Sequence, residues 1–421
     1  MVSRSRKYGS SPQSGPSYCK ANHISALDIN QPPNLICKLQ HINPNSTEFI
    51  VLFIRCSAWL RSYFLVYEHD IKKLAFLNPL CLHGETNREE IMKKSLNLIL
   101  ATAVTAALAI PAFSADVTMR ISLQLPMKSH LGQNLLLFKE QVEAKSNGDI
   151  EVQIYDSAQL YKDKEVPAAV GAGSIEAGVA SLTRYVGDIP AVDIFYQPFL
   201  FDTEEKVRKA VAKGSKIRGP IDEAIKGTGS TVLWWQAYGG AIMLSNGGPI
   251  ANPQDMKGKK VRVFGKTLGQ FVEATGGAPT LISGSEQYLA YQRGTVDVGM
   301  TGVSGVKSRK LYEVMDTITV TNHADIEFIV VTNTDWWNGL TDGQRAIISD
   351  AAAMAEASVR DKMSSIEAEA YEVAKQNGMN VVIPSAADIA AFKQAASSVY
   401  DAYKEKAGDM GAKLLEAASK Y

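Results

Sequence analysis

The chain has 421 residues, more than one compact core usually holds, and its 44 Lys+Arg balance 44 Asp+Glu. The balance hides a split: residues 1–114 carry 12 Lys+Arg against 7 Asp+Glu, leaving 32 against 37 for a mildly acidic body that lacks the concentrated cations nucleic acid requires. All four cysteines (Cys19, Cys37, Cys56, Cys81) precede residue 92, which excludes a disulfide, a thiol nucleophile or a cysteine metal site from the rest.

Residues 1–91 mix Pro, Ser and Asn with scattered aromatics and sustain no periodicity, so they read as an over-extended gene call or a disordered extension. At Met92 the pattern changes. Lys93 and Lys94 precede an apolar run from Leu96 to Ile110, then Pro111 and the small residues Ala112, Ser114 and Ala115. That is the order of a secretory signal over 92–114, cleaved after Ser114, and the run is shorter than the roughly 20 residues of a membrane span. The working chain is then expected to start near residue 115 and to be exported.

"VTMRISLQL" alternates Val117, Met119, Ile121, Leu123 and Leu125 against polar residues, the pattern of a strand. Ser129 caps a helix with Leu131, Leu135, Phe138 and Val142 on its apolar stripe, and Gly148 ends it. "DIEVQIY" and "IEAGVAS" are further strands joined by a short helical crossover, which makes an α/β fold with a parallel sheet. Ligands in such sheets collect at the carboxyl ends of strands, where Gln124 and Ser181 sit. A second unit of this kind begins near Gly240. "KKVRVF" is a strand, "TLGQFVEATGG" a helix, "SGSEQYLAYQRG" a helix with Ser283 and Glu286 as capping box, and "TVDVGMTG" another strand. "IEFIVVTN" reads as a strand returning to the first sheet. Thr341 and Gln344 open a helix that runs toward Gly378, long enough to lie across two domains.

Within "KGKKVRVFG" Lys260, Arg262 and Phe264 share one face and Val261 and Val263 the other. A guanidinium among apolar neighbours costs several kcal/mol unless paired, so Arg262 faces a protein carboxylate, water or a ligand. Catalytic signatures are missing: only His130 and His323 occur beyond residue 115, and no HExxH, GxSxG, P-loop or GxGxxG motif is present. A binding protein is favoured over an enzyme.

"MKGKKVRV", "TGGAPTLISGSEQYLAYQRGTVDVG" and "KLYEVMDTITVTNH" follow one another in order, after "IPAVDIFYQPFLFDTEEKVRKA" and "WWQAYGGAIMLSN". Over residues 116–410 this set resembles the periplasmic solute-binding protein of a TRAP (tripartite ATP-independent periplasmic) transporter, the DctP family. The resemblance implies a two-lobed periplasmic binding protein fold, a ligand cleft between the lobes and a long bracing helix. One lobe would comprise residues 115–239 plus 327–366, the other 240–326 plus 367–421. It implies capture of a small organic acid, whether C4-dicarboxylate, 2-oxo or hydroxy acid or sugar acid, and its delivery to membrane permease subunits. No cofactor, metal or nucleic acid is expected. A sensor module and a periplasmic enzyme acting on acidic sugars are the alternatives. In that family the Arg of the K-x-R-V strand pairs with the ligand's carboxylate, and Arg262 holds that position. A guanidinium fork matches a carboxylate bidentately. Ile242, Thr301 and Gly284 stand where the sialic-acid branch carries Arg, Asn and an aromatic, which argues against sialic acid. Further candidate contacts are Gln124, Ser181, Trp235, Gln236, Tyr238, Phe264 and Thr301, with His323 and Glu327 bordering the return crossing.

Overall fold

The structure, a computed structural model, describes residues 116–421 and, from the first 115, only four strands: Lys38–Ile42 (β1), Phe49–Ile54 (β2), Tyr63–Tyr67 (β3) and Ala75–Phe76 (β4). Residues 1–110 and 111–421 are separate compact units. In the first, β1 to β4 pair antiparallel in chain order. The signal segment expected at 92–114 lies outside the described residues.

The second unit contains β5 (Val117–Ser122), β6 (Ile150–Tyr155), β7 (Ala177–Ser181), β8 (Ser230–Ser245), β9 (Lys260–Val263), β10 (Ala278–Leu281), β11 (Val298–Gly302), β12 (Thr317–Thr319), β13 (Asp325–Asn333) and β14 (Asn380–Val382). The strand order is β10-β9-β11-β8-β13-β7-β5-β6, with β12 and β14 off this path. β5, β6 and β7 are parallel, as are β9, β10 and β11. The two sets form the cores of two lobes. The sheets are mixed rather than purely parallel, because β8 and β13 run antiparallel to their neighbours. A strand that carries the chain from one lobe to the other must return in the opposite sense. β8 pairs with β13 up to Gly240 and with β11 and β12 from Ala241 onward, and just before this change stands Gly239, whose φ of 91° favours glycine.

The helix His130–Lys145 starts as the sequence expects: the Ser129 hydroxyl accepts from the Gly132 amide, and Leu131, Leu135, Phe138 and Val142 are fully buried. The helix Asp342–Gln376 opens with both halves of the Thr341–Gln344 capping box. Its 35 residues make it about 52 Å long. An alanine-rich face (Ala351, Ala352, Ala355, then Ala370 and Ala374) lets it lie close against helix His130–Lys145 of one lobe and helix Val303–Ser308 of the other. Among the described residues no helix is long and apolar enough to cross a membrane.

One local expectation fails, and one helix packs more widely than expected. Ser283 makes no capping bond; the segment is a 3-10 turn, Gly284–Glu286, before helix Gln287–Gln292, and Glu286 reaches out to Lys162 instead. The C-terminal helix Ser397–Ala418, expected with the second lobe, packs on the apolar turn Pro190–Tyr196 of the first as well as on helix Lys266–Ala274. Val399 and Tyr403 are buried there, and the Tyr403 hydroxyl donates to the Ala191 carbonyl at 2.9 Å.

Candidate functional site

β9 lies between β10 and β11, with Arg262 in register with Thr280 and Gly299. The alternation of β9 turns Arg262 away from Val261 and Val263 and buries it to 3 % exposure. Its Nε donates to the Ile282 carbonyl at 3.0 Å and one Nη to the Met300 carbonyl at 2.5 Å, both at the carboxyl ends of the parallel strands. Phe264 lies 5.3 Å from the guanidinium. No carboxylate is among the charges that act most strongly on it. Burial, then the neighbouring Arg309 and Arg184, push its pKa down to about 10 against the favourable influence of Tyr291 and Tyr238. Arg262 is therefore a charged group with carbonyl partners and no counter-ion of its own.

It opens onto a narrow cavity of about 20 Å³, room for about one water, lined by both lobes. The first lobe contributes Gln124, which follows β5, Ser181 at the end of β7, and Arg184 in the 3-10 turn after it. Asp163 accepts from the Ser181 amide at 2.7 Å, the Ser181 hydroxyl at 2.9 Å and Arg184 Nε at 2.5 Å. Two buried polar atoms here lack a partner, the Gln124 Oε1 and an Arg184 Nη. Buried polar atoms are rarely left so without reason. The second lobe contributes Thr301 at the end of β11 and Arg309 just past helix Val303–Ser308. Arg309 donates to the Gly284 carbonyl at 3.0 Å, the Thr301 hydroxyl at 2.9 Å and the Tyr238 hydroxyl at 3.1 Å. Glycine at 305 makes room for it: a Cβ there would meet an Arg309 Nη at 2.2 Å. Gly302 at the end of β11 likewise leaves room for the Tyr238 ring.

Six of the ten residues singled out from sequence come together around this cavity: Gln124, Ser181, Tyr238, Arg262, Phe264 and Thr301. The other four lie elsewhere, each with its own partners. Trp235 is on the opposite face of β8, where its Nε1 donates to Asp222 at 2.8 Å and its ring packs against Phe195. Gln236 is buried against helix His130–Lys145 and donates to Asn134 at 2.7 Å. His323 stacks on Phe271 and bonds Thr321 at 2.7 Å; burial pushes its pKa down to about 3, so it stays neutral. Strand alternation turns Ile326 and Phe328 toward the cavity and Glu327 away from it, where Arg360 grips it at 2.5 and 2.9 Å.

Sequence reasoning missed Arg184, Arg309 and Asp163. The available signal was weak: Arg184 stands three residues past a strand end in an otherwise apolar stretch, and Arg309 one helical turn past Gly305. The cavity lining thus holds three guanidinium groups and one carboxylate, an excess of two positive charges. Among the described residues no group of three or more His, Cys, Asp or Glu is arranged to hold a metal ion.

The family model described as DctP, bacterial extracellular solute-binding protein, family 7, matches residues 121–406. The C4-dicarboxylate-binding periplasmic protein DctP of Rhodobacter capsulatus is 28% identical over 76% of this chain and 97% of its own. A TRAP periplasmic solute binding protein from Desulfovibrio salexigens, solved with bound orotic acid, superposes with a TM-score of 0.68 at 26% identity, covering 72% of this chain and 97% of that one. One from Sulfurospirillum deleyianum with bound succinate gives a TM-score of 0.68 at 23% identity, covering 73% and 99%.

Proposed function

Because the chain belongs to bacterial extracellular solute-binding protein family 7, the DctP family, we propose that its cavity captures a small organic acid bearing two negative charges and that the acid passes unchanged to membrane permease subunits. The protein is a periplasmic receptor of the TRAP type for a small organic acid. The finer reading rests on one observation, the two uncompensated positive charges of the cavity wall. Keeping such charges out of water without a partner costs several kcal/mol per group, and an incoming dianion supplies the missing partner. Arg262 and the unpartnered Arg184 Nη offer hydrogen bonds to one carboxylate. Arg309, with the Tyr238 and Thr301 hydroxyls, offers a second anchor. Charge-assisted bonds of this kind contribute about 1.5–3 kcal/mol each. The name of the Rhodobacter relative, a C4-dicarboxylate-binding protein, supports the same ligand class.

A thermal-shift panel tests this reading. C4-dicarboxylates at about a hundred times their Kd should add roughly 2.7 kcal/mol of stability, a rise of several degrees. The matching monocarboxylates should add less and the neutral diamides nothing, and the acid should be recovered intact after incubation. Equal stabilisation by diamide and diacid would remove the charge argument.

A further inference from the structure

Lys162 and Glu286 are 124 residues apart, yet the Lys162 Nζ donates to the Glu286 carboxylate at 2.8 Å. One belongs to the first lobe and the other to the second, and their side chains are 39% and 44% exposed, so the bond lies at the surface, next to the cavity-lining Asp163 and Gly284. Both ends are tied to cavity walls. Lys162 immediately precedes Asp163, which holds Arg184 and Ser181. Its own amide donates to Glu165 at 2.9 Å, and the preceding residue, Tyr161, exchanges bonds with Ser122 at the end of β5. Glu286 closes the turn that begins at Gly284, whose carbonyl holds Arg309. That turn is pressed against the first lobe: a Cβ at 284 would meet the Gln124 Oε1 at 3.0 Å.

Closing the lobes brings Arg184, already paired with Asp163, toward Arg262 of the second lobe, where it acts to disfavour the Arg262 charge. The excess positive charge stands on the second-lobe wall, and an attraction between the lobes favours the closed arrangement when no acid is in place. We infer that Lys162 and Glu286 are positioning residues, an ion pair across the mouth of the cavity that holds its two walls in register and slows their separation. Lys164 adds to the positive field that Glu286 feels. The consequence for binding rests on the charge reading proposed above; the latch itself does not.

A half-exposed pair of this kind should change acid dissociation by roughly 1.5- to 5-fold, and less at high salt. The test uses the full chain as Lys162→Gln, Glu286→Gln and the charge swap Lys162→Glu/Glu286→Lys. Amide hydrogen exchange without added acid is read in segments 161–165 and 283–287, and succinate dissociation is followed by stopped flow. The expected result is crossed: Lys162→Gln speeds exchange in 283–287, Glu286→Gln speeds it in 161–165, and the swap restores both. Changes confined to each variant's own segment, or a swap that behaves like the sum of two losses, would overturn the latch. If the crossed exchange occurs but succinate fails to bind, the latch stands and the dicarboxylate reading falls.

Discussion

Arg262 and Arg360 are both buried, and burial alone does not tell them apart. Their surroundings do. Arg360 grips Glu327 with two bonds, and that carboxylate, with Asp325 behind it, outweighs burial and raises its pKa. Arg262 has carbonyl partners only, and burial prevails. One arginine is paired with a carboxylate of the chain, and the other is the one we propose a guest completes. Replacing Arg360 with leucine should therefore cost about 3–5 kcal/mol of stability, because Glu327 is left buried without its cation. Urea unfolding measures this, and a loss below about 1 kcal/mol would show the pair to be dispensable. Arg262 was legible in the sequence because a cation on a short alternating strand stands out. Arg184 and Arg309 were not, because each lies in a short irregular turn where no periodicity marks a face. Glu327 shows the reverse error: its place at the crossing was right, and strand parity turned it to the other side.

The elements that could be read were those with redundant local signals. The Ser129 cap and the Thr341–Gln344 box mark helix starts that the structure shares, since cap, stripe and terminating glycine agree. The Ser283–Glu286 box had the same letters but a more favourable partner for Glu286 across the cleft, and local chemistry lost to tertiary contact. The start of helix Lys266–Ala274 carries a feature no sequence pattern marks. Asp193, from the turn Pro190–Tyr196, is buried there and accepts from the Thr267 hydroxyl at 2.6 Å. Burial pushes its carboxyl up from 3.8 to about 6, against the opposing bond from Thr267. A raised folded-state pKa means that its contribution to stability is fully present below the ordinary value and is lost as pH rises through about 6. Asp193→Asn should remove that loss, so that the variant gains on the parent in Tm between about pH 4 and pH 7. Parallel pH profiles for the two proteins would contradict this.

At the scale of the molecule, β8 crosses between lobes and β13 rejoins the first-lobe sheet, a helix of 35 residues braces both, and the parallel strands of each lobe end at the same cavity. The order of α and β segments made the two lobes legible. The mixed sheet and the path of the C-terminal helix were not, because both depend on which apolar faces meet after the chain has crossed over. That architecture gathers cations from distant positions of the chain around one small space, and the central claim is that an anion completes them. Calorimetric titration of a C4-dicarboxylate into the parent protein and into Arg262→Ala tests it most directly. Truncating one partner of a buried charge pair should cost at least about 2 kcal/mol, roughly a thirtyfold loss of affinity or more, with the circular dichroism spectrum unchanged. Equal affinity in a folded Arg262→Ala protein would contradict the account.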